Sequence, residues 1–285
     1  MPELPEVETI RRGLERYIVG KTIASIEIRL GKIFQGDPQQ LLGAQIIAMR
    51  RYGKGLVIDL SNGMSITAHV KMTGQFVYVG PETRKNFHPK LDLPLELPTK
   101  HTHVIFQLRA GNGERSSLYF NDIRQFGWLK VIKTSELQEQ PFFTSLGPEP
   151  LRNLTIQQFS HILASSSMPI KPFLMDQHKI SGIGNIYAND SLYLARIDPR
   201  RPAKSLTSLE VDNLFAAVEE VLQKGIAYGG ASETNYINVE GGKGEYQNHF
   251  LVYGQKGKRC PRDQGEIVRL VQAGRSTFYC PMCQT

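Results

Sequence analysis

Cysteine is scarce in this 285-residue chain: there are three, Cys260, Cys280 and Cys283, all close to the C-terminal end. An odd number crowded at one end gives no disulfide framework and reads as a metal knuckle or the remnant of one. Long apolar runs are missing too, and no stretch approaches the ~20 uninterrupted apolar residues of a membrane span. A basic, then apolar export signal is absent. The chain opens instead on the acidic Met1-Pro2-Glu3-Leu4-Pro5-Glu6, which leaves the cytoplasm as the expected compartment. Composition is without extremes: 40% apolar and 21% charged residues exclude a disordered chain, a coiled coil and a collagen-like fibre. Negative charge is the minority, 27 Asp and Glu against 34 Lys and Arg, for a net charge of +7. A basic globular protein of this size meets something anionic, most often nucleic acid.

At roughly 150 residues per domain the length predicts about two domains. Residues 3–19 have helical periodicity, with Val7, Ile10, Leu14, Tyr17 and Ile18 on one face and Glu6, Glu8, Arg11, Arg12 and Glu15 off it. From about 22 to 132 the period becomes two. Ala24, Ile26, Ile28 and Leu30 alternate with polar or outward residues, as do Val104, Phe106 and Leu108, then Leu118 and Phe120. Shorter runs cover 46–51, 56–60, 65–70 and 75–79, so about seven or eight strands predict a β-sandwich or barrel. The stretch 81–100, with Pro81, Pro89, Pro94 and Pro98, has no period and reads as an exposed loop. After Gly147-Pro148-Glu149-Pro150 helical segments return at about 155–166, 171–177, 185–194 and 206–227. The last has Thr207 or Ser208 as N-cap and a core stripe through Leu214, Val218, Val221 and Leu222. A Gly-rich stretch then leads to a β-rich tail. The class is α+β: a β domain, a helical domain and a small terminal ribbon.

The most unusual feature is Pro2. Removal of Met1 leaves a secondary amine at the head of a helix. An α-amino group titrates at roughly 8, and the positive helix end together with nearby cations lowers that value. Such an amine is nucleophilic at neutral pH and suited to forming an iminium, with Glu3 placed to move protons.

The opening through Thr9 resembles that of bacterial formamidopyrimidine-DNA glycosylases. The resemblance recurs along the whole chain: Arg51-Tyr52-Gly53-Lys54, His69-Val70-Lys71-Met72-Thr73-Gly74, Lys100-His101-Thr102-His103 and Asn121-Asp122-Ile123-Arg124-Gln125-Phe126-Gly127. Leu146 to Pro150, Ile170 to Asp176, Gly182 to Ala188 and the cysteine-bearing tail follow in order. The resemblance implies a fold with a leading catalytic helix, an N-terminal β-sandwich, a helix–two-turns–helix domain and a terminal zinc-ribbon-like hairpin. It implies the divisions 1–134 (catalytic sandwich), 135–150 (connector), 151–230 (helix–two-turns–helix), 231–247 (lesion-capping loop) and 248–285 (ribbon).

It also implies roles. Pro2 and Glu3 are the catalytic pair, with Lys54 and Arg275 supporting the transfers. Met72, Arg124 and Phe126 match residues that enter the duplex once a base has left the stack. A thioether and an aromatic ring fill the hole, and a guanidinium bonds the orphaned cytosine. His69, His101, Lys171, Asn185 and Tyr187 match DNA-contacting positions, and Gly182-Ile183-Gly184 allows backbone N–H groups to approach phosphate. Asp190 departs from the family's usual Glu, which puts that residue's hydrogen bonds in question.

The tail reads Cys260-x2-Asp263-x16-Cys280-x2-Cys283. Two Cys-x2-Cys knuckles would supply four thiolates to zinc, and here a carboxylate takes one place. One zinc ion per chain is the expectation. Three outcomes stay open: three thiolates plus Asp263 or water, weaker binding, or a ribbon folded without metal.

The function this implies is base excision repair by a monomeric glycosylase and AP lyase acting on damaged double-stranded DNA in the bacterial cytoplasm. Oxidised purines such as 8-oxoguanine and formamidopyrimidines are the expected lesions, with strand cleavage by β- and δ-elimination. Two alternatives are an endonuclease VIII-like enzyme for oxidised pyrimidines and a non-catalytic damage-binding protein. Leu4 and the complete Met72, Arg124 and Phe126 set favour the first reading, as does the intact Pro2-Glu3 pair.

Overall fold

The computed structural model describes residues 1–83, 97–233 and 235–285. Most of the loop expected over 81–100 therefore lies outside the described residues. The chain forms two compact units, one of Met1–Thr144 with Tyr228–Glu245 and one of Ser145–Ala227 with Tyr246–Thr285.

The first unit opens with α1 (Leu4–Ile18), started by a reciprocal capping box between Glu3 and Glu6 and by Pro5 in its first turn. The strands are β1 (Thr22–Ile28), β2 (Phe34–Gln35), β3 (Ile46–Tyr52), β4 (Gly55–Leu60), β5 (Met64–His69), β6 (Gly74–Val79), β7 (Thr102–Arg109), β8 (Arg115–Asp122) and β9 (Trp128–Lys133), with the short α2 (Pro141–Thr144) after them. They make two sheets, β1-β7-β8-β6 and β2-β9-β5-β4-β3. Inward residues of both sheets and the apolar face of α1 share one core, including Phe76, Phe106, Phe120, Ile58, Leu129 and Leu14. Of the two architectures the period-two runs allow, sandwich or barrel, these two sheets over one core form the sandwich.

Local details differ from the pattern. A bulge between Ile23 and Ser25 turns Ala24 outward and leaves Ile23 as the buried residue. The two-residue β2, which pairs parallel with β9, is too short to leave a period. Glu6 and Glu8, which periodicity sets off the core face, are buried. The returning segment 228–245 is joined to this unit by Tyr236 and Val239, both in the core, and by a Tyr78 N–H bond to the Val239 carbonyl at 2.8 Å. Gly13 of α1 leaves room for Val239, whose side chain occupies the space a Cβ would need.

The second unit holds α3 (Ile156–Ala164), α4 (Ile170–Met175), α5 (Asn185–Leu194) and α6 (Ser208–Ala227), then the antiparallel hairpin β10 (Val268–Gln272) and β11 (Arg275–Tyr279). Capping boxes begin α3 (Thr155 with Gln158) and α6 (Thr207 with Glu210). The stripe Leu214, Val218, Val221 and Leu222 is buried. Helix α5 is buried along nearly its whole length and packs on α4, α6 and β11. Among the described residues no helix is long and apolar enough to cross a membrane.

Candidate functional site

The head of α1 is tightly built. Pro2 and Glu3 are buried, and the Glu3 N–H donates to Glu6 Oε2 at 2.8 Å. The other Glu6 oxygen accepts the Ala231 N–H at 2.8 Å, so one carboxylate joins the N-terminal turn to the root of the 231–245 segment. One turn further on, Glu8 accepts from Arg11 at 3.0 Å, Arg12 at 2.8 Å and Arg51 at 2.9 Å. Burial alone raises its pKa, but the three guanidiniums outweigh that and hold it at about 2. Arg51 also donates to the Gly53 carbonyl at 3.0 Å, which ties α1 to the tight turn carrying the buried Lys54. Sequence reasoning missed Glu8 and Arg51. The i, i+3 and i, i+4 spacing of Glu8 to Arg11 and Arg12 was the visible signal.

Two loops end the strands of this unit side by side. Gly74 pairs with Asp122 and His69 with Trp128, which places residues 70–73 and 123–127 together. There Met72, Arg124 and Phe126 form one exposed cluster. Arg124 Nη1 lies 3.0 Å from Met72 Sδ, and its guanidinium stands 4.8 Å over the Phe126 ring. Phe126 is 53% exposed. A large aromatic and a thioether held open to solvent around a cation form no part of the core.

His69 stands behind this cluster, 6% exposed, against Trp128 and Phe142. Its Nδ1 accepts the Lys71 N–H at 2.9 Å, leaving Nε2 as the protonated donor. Burial first, then the charges of Lys71 and Lys54, push its pKa down to about 3. Any phosphate it meets is met by a neutral N–H. His101 is half-buried in the turn before β7, where its carbonyl accepts the Asp122 N–H at 2.9 Å.

In the second unit Gly184 caps α5 and Asn185 is its first residue. The turn before it is held by Gln177, which accepts the Gly182 N–H at 2.9 Å and donates to the Ile183 carbonyl at 2.8 Å. No sequence signal marked Gln177. Two of the residues expected to contact DNA have buried side chains. Lys171 is 1% exposed, and its ammonium donates to the Ser276 carbonyl and Thr277 Oγ1, both at 2.8 Å. Its charge holds the ribbon beside Arg275 and is not presented at the surface. Tyr187 is also buried, stacked on Tyr246 at 5.1 Å. Arg275 is exposed at the hairpin tip. Asp190, shorter than the family's Glu, still accepts the N–H groups of Leu251, Val252 and Tyr253 and the Tyr246 hydroxyl, at 3.0–3.1 Å.

Cys260, Asp263, Cys280 and Cys283 converge, with ligand atoms all within 4.8 Å of one another. Cys260 and Cys283 sulfurs are 3.8 Å apart, and Cys280 Sγ lies 3.4 and 3.3 Å from the Asp263 oxygens. Asp263 Oδ1 also accepts the Gly265 N–H at 2.8 Å, which orients the carboxylate. This set can hold a metal ion.

Two family profiles cover most of the chain: the formamidopyrimidine-DNA glycosylase N-terminal domain over residues 1–129 and the H2TH domain of the same enzymes over 146–236. A formamidopyrimidine-DNA glycosylase of Heliobacterium modesticaldum is 40% identical over 290 residues, covering 100% of both chains. The chain belongs to the formamidopyrimidine-DNA glycosylase family. Among solved structures, the Lactococcus lactis enzyme bound to DNA with an abasic site matches with a TM-score of 0.86 and 33% identity over 99% of each chain. The same enzyme bound to DNA carrying N7-benzyl-Fapy-dG matches at 0.85 and 33% over 100% of each.

Proposed function

We propose that this protein is a bacterial, cytoplasmic DNA glycosylase and AP lyase that removes oxidised purines from duplex DNA and acts as a monomer. The observation that carries this reading is the N-terminal turn. Pro2 and Glu3 stand at the capped head of α1 in a chain that matches a family member along its entire length. The exposed cluster of Met72, Arg124 and Phe126 supplies the second requirement, groups to occupy the space a flipped base leaves.

With Met1 removed, the Pro2 nitrogen attacks C1′ of the damaged nucleoside and the base departs. Glu3 passes a proton as the sugar ring opens and the iminium forms. The iminium makes the C2′ proton acidic, so the 3′ phosphate leaves, followed by the 5′ phosphate. Lys54 and Arg275 stabilise the departing charge, His69, His101 and Asn185 bond the backbone, and segment 231–247 covers the extruded base.

The four-ligand group fits zinc. Bonds of about 2.3 Å to sulfur and about 2.0 Å to oxygen give tetrahedral edges of about 3.8 and 3.5 Å, close to the 3.8 Å between sulfurs and the 3.3–3.4 Å to Asp263. Cys260, Asp263, Cys280 and Cys283 would hold one ion, which supplies a cross-link for the ribbon that carries Arg275.

Borohydride reduction during incubation with duplex DNA containing 8-oxoguanine opposite cytosine tests the reading. A covalent adduct mapping to Pro2, and absent when Met1 is retained, is the expected result. Tight lesion binding with no adduct would replace the enzyme reading by the damage-binding one. A faster reaction on an oxidised pyrimidine would favour the endonuclease VIII-like alternative.

A further inference from the structure

The loops that carry Met72, Arg124 and Phe126 converge on one buried carboxylate. Asp122 is the last residue of β8 and is fully buried. Its Oδ1 accepts the Thr73 hydroxyl and, at 3.2 Å, the Arg124 N–H. Its Oδ2 accepts the Gly127 N–H at 2.6 Å. Thr73 Oγ1 in turn accepts the Arg124 N–H at 3.0 Å. The main chain of Asp122 adds the 101–103 turn, donating to the His101 carbonyl at 2.9 Å and accepting from His103 Nε2 at 2.7 Å.

Both loops need such an anchor. Lys71 and Gln125 adopt φ of 50° and 56°, a left-handed conformation that side chains other than glycine avoid. Each stands next to a member of the exposed cluster. Gly127 is required where it is, because a Cβ there would lie 3.0 Å from Asp122 Oδ2 and 2.9 Å from the Phe120 ring. The sheet ladders stop short of the loops, at Gly74 with Asp122 and His69 with Trp128. Beyond those pairs the Gly74 N–H to Val70 carbonyl bond at 2.8 Å and the Lys71 N–H to His69 Nδ1 bond at 2.9 Å shape the first loop locally. The bonds of the Thr73 hydroxyl and of the Arg124 and Gly127 N–H groups, which tie the two loops to one point, meet at Asp122.

We infer that Asp122 is the positioning residue for the intercalating cluster: it fixes the two loops in one arrangement so that Met72, Arg124 and Phe126 enter the duplex as a unit. The inference rests on the function proposed above. Being fully buried, Asp122 touches neither DNA nor the reacting sugar. Its effect is confined to substrates in which a partner strand must be separated from the extruded base. A single strand with a preformed abasic site asks nothing of the cluster.

The test compares the Asp122→Asn and Thr73→Val variants on two substrates, duplex 8-oxoguanine opposite cytosine and a single strand bearing an abasic site, by rate of borohydride trapping. In Asp122→Asn an amide replaces one acceptor of a main-chain N–H, and kcat/KM on the duplex falls by about tenfold or more. Trapping on the single strand stays within about twofold of the unaltered protein. Thr73→Val shows the same selective loss, and Thr73→Ser restores the duplex rate. Equal losses on both substrates, with or without a lower Tm, would overturn the inference, as would no loss on either. A combined Met72→Ala, Arg124→Ala, Phe126→Ala variant separates the two levels. If that variant loses duplex activity and Asp122→Asn does not, the role of Asp122 alone is refuted. If the unaltered protein traps neither substrate, the glycosylase reading fails and takes this inference with it.

Discussion

Replacing Glu8 by glutamine perturbs the charge centre that joins α1 to the Lys54 turn. Glu8 is held at about 2 against an ordinary 4.5, a difference of about 2.5 units, or about 3 kcal/mol at 1.36 kcal/mol per unit. Its side chain is only 11% exposed, so solvent screening removes little of this. The folded-state pKa lies below the unfolded one. The stabilisation is therefore complete above the unfolded value near 4.5 and disappears as pH falls through about 2. Less than half of it should remain at pH 3. Glutamine keeps the shape but leaves three guanidiniums facing a neutral amide. Urea unfolding of both proteins should show a gap of about 3 kcal/mol at pH 7 that narrows to less than half of that at pH 3. Trapping on lesion DNA should also slow, because Arg51 loses the partner that steadies its bond to Gly53 beside Lys54. A gap under about 1 kcal/mol at pH 7, or one that does not change with pH, would refute the reasoning.

Lys171→Met should lower stability by about 1–3 kcal/mol through lost charged hydrogen bonds while leaving the salt dependence of DNA binding unchanged. Arg275→Ala should do the reverse, reducing the log–log salt slope by about one with little change in Tm. A smaller slope in Lys171→Met would mean that its ammonium reaches phosphate after all. Gly13→Ala, which in a free helix would add up to about 1 kcal/mol, should instead cost about 1–3 kcal/mol, because the new methyl meets Val239. Chemical denaturation decides the sign. Asp263→Ala should weaken zinc binding at least about tenfold and Asp263→Cys should strengthen it, both measured by competition with a chromogenic chelator.

Much of this protein is legible without coordinates. The 3.6-residue period of α1 and the stripe of α6 through Leu214, Val218 and Leu222 follow from local spacing, which also narrowed the α6 cap to Thr207 or Ser208, of which the structure uses Thr207. The alternation read in β7 holds only in its last residues, since Thr102 to Phe106 are all buried. The cysteine and aspartate spacing of the tail announces the four-ligand group for the same reason: each knuckle is a local turn. The opening residues and the ordered motifs were enough to name the family, since a family resemblance is carried by residue types and their order along the chain.

Tertiary structure decided everything that depends on a distant partner. Periodicity sets Glu6 and Glu8 on a polar face, yet Ala231 and Arg51 give them buried bonds from far along the chain. Lys171 matches a DNA-contacting position in the sequence, and only the fold brings Ser276 and Thr277, more than a hundred residues later, against its ammonium. The bulge at Ile23, the return of 228–245 to the first unit and the meeting of two loops at Asp122 leave no local trace. Sequence patterns record which residues favour water or its absence. Whether a charge is satisfied in the interior depends on a complementary group brought near it by the fold, and that is set by long-range geometry.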